Sequence, residues 1–372
     1  MARIDQLRII SIAFTLFLFT AITSSVPASS GSNIEFEDLG QIDTGGDTFD
    51  VQVVENIAYV TDMGPYRGPA AGLITINVSD PSNPLQLGQF FDGGIPHALH
   101  IVGDIAYVAD HNNGLEIIDV TDPVNPRKVG AFIDNGEIDG VYVVGDFAYV
   151  VEWVDRLEIC EFMIINVSNP SNPTKLGELE NAGSAHRLQV VGDFAYVPDG
   201  RNGLKIFNIS EPTNITTVSR FFGEGSVSAV FLDNNLAYVA SGGGLTIVDV
   251  TNPSSPIEIG QYDDGGFAVD VQVVGERAYV ADHEEGLEIY DISDPANPSE
   301  LAQYEQEMNV GVFLSGDIAY LAAHEYGLKI LKIGNKSSET SGILGFDLFF
   351  TIIGLNSLLA IRTLISRRRS GR

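Results

Sequence analysis

The residues with the widest chemical reach in this chain are its histidines, and five of the six fall at fixed distances from a recurring Ala-Tyr-Val or Ala-Tyr-Leu core. His97 and His186 lie nine residues before a core alanine, in a column that also holds Asp139, Phe49, Val269 and Val310. His111, His283 and His324 lie five residues after one, each following or near an acidic residue such as Asp110 or Asp282. Imidazoles and carboxylates brought to one place are the ligands of a divalent metal. They are also the general acids and bases of a hydrolase or lyase. Because these groups come from different repeat units, their separations depend on how the units are arranged.

Seven units carry that core, with alanines at Ala58, Ala106, Ala148, Ala195, Ala237, Ala278 and Ala319. A period of this size marks an array of one supersecondary unit. Each unit alternates apolar and polar residues in short runs between turn signals, the pattern of antiparallel strands. In the sixth unit the expected strands are 269–274, 277–282, 286–292 and 299–304, with the Pro-rich stretch Asp294–Pro298 ending the third. Gly-Asp at 103–104, 145–146, 192–193 and 316–317 supplies the positive φ of a two-residue hairpin turn, and Asn234-Asn235 replaces it once. Four strands per unit describe one blade of a β-propeller. The seventh unit stops after its third strand near Ile333, while an orphan strand, Asp38–Ile42, precedes the first unit and matches fourth strands such as Leu87–Phe90. The fold class is therefore all-β, a seven-bladed β-propeller over residues 36–333 closed by the N-terminal strand.

Two units are longer than the rest. The extra residues fall in Met63–Ala71 and Trp153–Phe162, both between second and third strands and so on one face. Insertions gathered on one face of a repeat array mark a binding face. These two contain Tyr66, Arg67, Trp153 and Cys160, and aromatic and arginine side chains are the usual anchors of contact surfaces. With His97, His186, Asp139, His111 and His283 they make up the candidate binding face.

Composition narrows the partners. A formal charge of −30 excludes a nucleic-acid surface, which needs a cationic stripe. It suits a soluble, self-repelling exterior that can collect cations. A single cysteine, Cys160, rules out an internal disulfide framework. No G-x-S-x-G elbow, H-E-x-x-H pair or phosphate-binding glycine loop occurs, so no enzyme class is indicated and no cofactor beyond a divalent cation is expected. Residues 1–28 have the basic, apolar and small-residue regions of an export signal. A polar linker at 334–342 leads to an apolar run at 343–361 and a basic tail at 362–372, the layout of one membrane span with its arginines in the cytoplasm. Among the sequons, Asn335 in the linker and Asn214 are the glycosylation candidates, whereas Asn77, Asn166 and Asn208 stand where the repeat otherwise has aspartate.

The stretch Gly114-Leu-Glu-Ile-Ile-Asp-Val-Thr-Asp-Pro123 resembles the LVIVD repeat of bacterial and archaeal surface proteins, and the resemblance covers residues 36–333. It implies a secreted or surface-displayed propeller. The tail, with Gly345-Phe346, an apolar run and arginines, also resembles archaeal surface-protein sorting signals that are cut and replaced by a lipid. The expected protein is a cell-membrane propeller facing outward, binding protein or glycan; the alternative is a propeller hydrolase or lyase with a metal at the channel mouth.

Overall fold

The computed structural model describes residues 33–64, 71–134, 136–154, 159–183, 187–223, 225–305 and 310–336. The expected export signal, membrane span and basic tail lie outside them. Among the described residues no helix is long and apolar enough to cross a membrane.

The described chain forms seven four-stranded antiparallel sheets, and six of them are built from consecutive strands. The sixth unit folds as strands Ala268–Val274, Arg277–Asp282, Gly286–Asp291 and Ser299–Tyr304, within a residue of the sequence expectation. The seventh sheet takes its outer strand from the N-terminus: Ile34–Ile42 pairs antiparallel with Leu328–Asn335, from Ile34 opposite Asn335 to Ile42 opposite Leu328. Asp38 and Lys329 join in an ion pair across that seam. The last strand runs on to Asn335, so this sequon lies at an exposed strand end and not in the linker, because pairing with Ile34 carries the ladder past Ile333.

Period-two alternation explains why Ala-Tyr-Val is repeated. In the first blade Ala58 and Val60 pack with Tyr320 and Ala322 of the seventh, while Tyr59 packs with Leu99 and Val108 of the second. One buried cluster of this kind fills every interface between consecutive blades, including that between the seventh and the first. The core is thus seven thin slabs arranged round an axis.

Small features lock one blade to the next. The fourth-strand glycines Gly88, Gly130, Gly177 and Gly260 each lie under a proline carbonyl of the following blade, and Gly40 of the N-terminal strand lies under that of Pro81. A Cβ on Gly130 would come within 2.0 Å of the Pro170 oxygen. Gly130→Ala is therefore expected to cost about 1–3 kcal/mol in chemical denaturation, as overpacking against backbone does. Gly103→Asn is the tolerated control, since nothing crowds Gly103 at φ 58° and Asn234 already holds φ 54° in the equivalent turn. The sequon asparagines Asn77, Asn166 and Asn208 accept the amides of Ser79, Ser168 and Ser210, as Asp119 does for Thr121. Their role is the turn after the third strand. Asn214 is exposed.

Candidate functional site

Innermost strands line the axis, and three repeat columns control it. Eight residues before each core alanine the chain places Asp50, Ala98, Gly140, Arg187, Ala229, Asp270 and Gly311. Small residues leave the axis open; the three charged ones close it. Arg187 reaches from the fourth blade across the channel to the seventh, where a Cβ on Gly311 would meet its Nη2 at 2.4 Å. Its Nη1 pairs with Asp50 Oδ1 at 2.8 Å and Asp270 Oδ2 at 3.1 Å. Its Nη2 donates to the carbonyls of Phe49 and Val310 at 3.2 and 3.4 Å. Both aspartates also stitch blades together: Asp50 accepts the Leu99 amide and Asp270 the Val312 amide. Burial pushes Asp270 up to about 6 even though Arg187 pulls it down. The same two influences leave Asp50 raised.

Two residues further along, Gln52, Gln189 and Gln272 accept the amides of Ile101, Leu232 and Leu314 in the following blade. His100 does the same for Val143 at 2.6 Å. Burial holds His100 down to about 4, so its Nδ1 stays an acceptor at neutral pH. The histidine absent from the two expected columns is thus a blade-to-blade clip.

Arg187 divides the axis into two cavities. Beneath it lies a space of about 90 Å³ lined by Gln52, His100, Tyr142, Gln189, Phe231 and Gln272. Above it a cup of about 390 Å³ opens at the mouth, with Phe49, Phe267, Val269 and Val310 as apolar wall and His97, His283 and His324 among its lining. The columns read from sequence do meet there. His97 Nδ1 donates to Asp139 Oδ1 at 2.9 Å, which sets its tautomer. His111 Nε2 lies 3.1 Å from Glu137 Oε2 and 4.0 Å from Asp139 Oδ1. Rings of Phe49, His97 and His111 follow one another at centroid spacings of 5.4 and 5.5 Å, and His324 lies 5.6 Å from Phe49 on the other side. Backbone pairing positions the second column: His111 bridges to Ile138 and His324 to Thr48, the latter again joining seventh blade to first. Both histidines adopt left-handed backbone, φ 33° and 46°, where Gly200 stands in the fourth blade at φ 49°.

The remaining sequence candidates fare differently. Tyr66, Arg67 and His186 lie outside the described residues. Trp153 and Cys160 are not in a loop, because the insertion extends the second and third strands of the third blade to Phe147–Val154 and Ile159–Asn166, pairing Trp153 with Cys160. Among the described residues the mouth histidines do not assemble three metal-ligand atoms; the one triad close enough is Asp92, Asp110 and Glu116.

Of the acidic residues expected beside the mouth columns, Asp110, Glu152 and Asp282 turn away from it, and Asp62, not among those expected, does the same. Asp62, Asp110, Glu152 and Asp282 fold back on Gly46, Gly94, Gly136 and Gly266 of the loop entering their blade, so closely that any Cβ there would collide. Asp62 and Asp110 accept the amides of Gly64 and Ile95. Burial and neighbouring carboxylates push Asp110 up to about 6, and Glu116, Glu152 and Glu288 up to about 9. Each sits in an acidic pocket between loop and third strand. The signal was in the sequence, as a glycine twelve residues before the core alanine and an acid four after.

Comparison with known proteins agrees with this architecture. The profile of the LVIVD repeat matches residues 45–91, 93–134, 135–180, 182–222, 224–264, 265–306 and 309–341. No curated protein matches the chain. Among solved structures, virginiamycin B lyase from Staphylococcus aureus is similar with a TM-score of 0.61 at 12% identity, covering 81% of this chain and 99% of that one. A chain of the Mitotic Checkpoint Complex gives 0.59 at 14%, covering 87% and 98%. The computationally designed Ika8 protein gives 0.55 at 9%, covering 79% and 99%. At such identities the likeness concerns the fold alone.

Proposed function

The chain belongs to the LVIVD repeat family, and from that premise we propose that it is a binding module, held at the cell membrane and facing outward, that takes a protein or glycan at the mouth of the ring. The observation that carries this reading is the cup of about 390 Å³ above Arg187. It is concave, mostly apolar and edged by a few polar groups, the usual make-up of a recognition pocket. Its size suits one aromatic side chain or one sugar ring inserted from a larger partner. Two histidines in left-handed backbone, at a position where glycine is less strained, support a role for the imidazoles themselves. Display on the surface rests on the export-signal pattern, the C-terminal apolar run with its arginines, and the acidic exterior.

Filling the cup tests the reading. Ser228 lines it. Ser228→Trp is expected to weaken capture of partners from the native cell envelope, or binding on a glycan array, by roughly thirtyfold, the loss of one central anchor. Its melting temperature should match wild type. Equal capture by both proteins would remove the mouth from consideration.

A second reading, a hydrolase or lyase, is favoured by the pairs His97–Asp139 and His111–Glu137, which have the geometry of an oriented general base. It requires that His97→Ala abolish turnover of a substrate that the cup retains.

A further inference from the structure

Charged side chains are buried beside the third strand in several blades, and what meets them differs. The third-strand residue opposite the valine or leucine of the core motif is Glu116 in the second blade, Lys205 in the fourth, Glu288 in the sixth and Lys329 in the seventh. In the fourth blade Lys205 places its ammonium 2.6 Å from Asp199. In the seventh Lys329 meets Asp38. In the sixth the phenol of Tyr290 lies between Glu288 and Asp264. The repeat thus supplies a cation or a proton donor to an acid in each of these three blades, although Asp282 Oδ2 in the sixth stays without a hydrogen-bond partner.

The second blade does so incompletely. Asp92, Asp110 and Glu116 each offer an oxygen within 4.8 Å of the others. Ile118 stands where the sixth blade has Tyr290, so no phenol is present. Lys128 enters from the fourth strand and touches Asp92 at 3.2 Å and Glu116 Oε1 at 2.5 Å. Asn113 donates to the other Asp92 oxygen. Two buried oxygens, Asp110 Oδ2 and Glu116 Oε2, remain without a hydrogen-bond partner, on residues 0% and 1% exposed. A buried carboxyl oxygen left unmet is costly, and here three carboxyl groups share one ammonium.

We propose that Asp92, Asp110 and Glu116 form a binding site for a divalent cation of the calcium class, with Lys128 as a displaceable occupant of its outer side. The ligand set is all oxygen, which selects hard cations over transition metals. Ca–O distances of about 2.3–2.6 Å place opposing ligands about 5 Å apart, the spread these oxygens have. The Lys128 side chain is 32% exposed and can swing to solvent. The site is independent of the mouth, because none of its residues lines the cup.

Calorimetric titration of the full chain with CaCl₂ after chelation tests it. Wild type is expected to bind one calcium ion at this site and melt at a higher temperature in its presence. Lys128→Met removes the competitor and should tighten binding roughly tenfold, because site charge tunes affinity. Glu116→Gln should weaken it at least about tenfold for the same reason. Gln keeps the shape of Glu and should leave the calcium-free melting temperature within a few degrees, so loss of binding is separable from loss of folding. Asp264→Asn, in the sixth blade, should change nothing. Absence of calcium binding in both wild type and Lys128→Met, or equal binding by Glu116→Gln, overturns the assignment.

Discussion

Replacing Arg187 by methionine is expected to destabilise the ring by about 3–5 kcal/mol, the cost of stripping the partner from a buried charge. Two carboxylates lose their cation at once. Asp50 and Asp270 are 5% and 6% exposed at the side chain, and both meet the same nitrogen, Nη1, of Arg187. Their backbone amide bonds to the next blade remain, but the two carboxyl groups that shared one nitrogen are left close together with no cation between them. On heating, a loss of this size lowers the midpoint by roughly 10 °C in a chain of this length. Adding Asp50→Asn and Asp270→Asn to Arg187→Met should recover most of it, because the penalty lies in the unpaired charges and not in the missing side chain. A single methionine variant that melts like wild type would show that water already solvates the axis.

Stability should also fall as pH rises from about 5 to about 9, opposite to the behaviour of a protein held by ionised carboxylates. Glu288 is raised to about 9, first by burial and then by Asp264 and Asp282; Glu152 is raised to about 9, first by burial and then by Asp134. In the unfolded chain both release their protons at about 4.3. Between these values the folded state holds protons that the unfolded state does not, so each unit of rising pH removes about 1.4 kcal/mol per group. Asp270, raised to about 6, adds to the slope at its acidic end. Below the unfolded value the sign reverses, because Asp119 and Asp291, held low by the turn hydroxyls and amides of Thr121 and Ser293, lose their ionised contacts there. Urea unfolding at pH 5, 7 and 9 in a chelating buffer checks the trend, and Glu288→Gln should flatten it. A flat or rising profile over that range would refute the protonated pockets.

The blades were legible because each strand obeys local rules: alternation, Gly-Asp turns and proline stops. The closing strand was legible as well, since a seventh unit lacking one strand and an orphan before the first are complementary deficits. Gathering of His97, Asp139 and His111 followed from shared repeat columns. Arg187 was not recognised, although a lone arginine and two aspartates in a column otherwise of alanine and glycine was a visible anomaly. Its meaning depends on which blades face each other across a closed ring, which sequence order does not convey. The acidic pockets were missed for a related reason. Asp92, Asp110 and Glu116 belong to three different segments of chain, and only the fold-back of Asp110 onto Gly94 turns it from the mouth toward Glu116.

The N-terminal strand has a mechanical consequence. Ile34 lies opposite Asn335, and Lys336 donates its amide to Asn33, so the described chain enters and leaves the ring at one point. Force applied between those two ends would part the seam one pair at a time, as a zipper opens, and would meet little resistance. Force applied between the mouth and Lys336 acts differently. The N-terminal strand is then unloaded and moves with its partner, and the ring opens only when Leu328–Asn335 is drawn out from between two neighbours. A ring tethered by its C-terminal end and pulled by what it holds would therefore be loaded in its stronger direction.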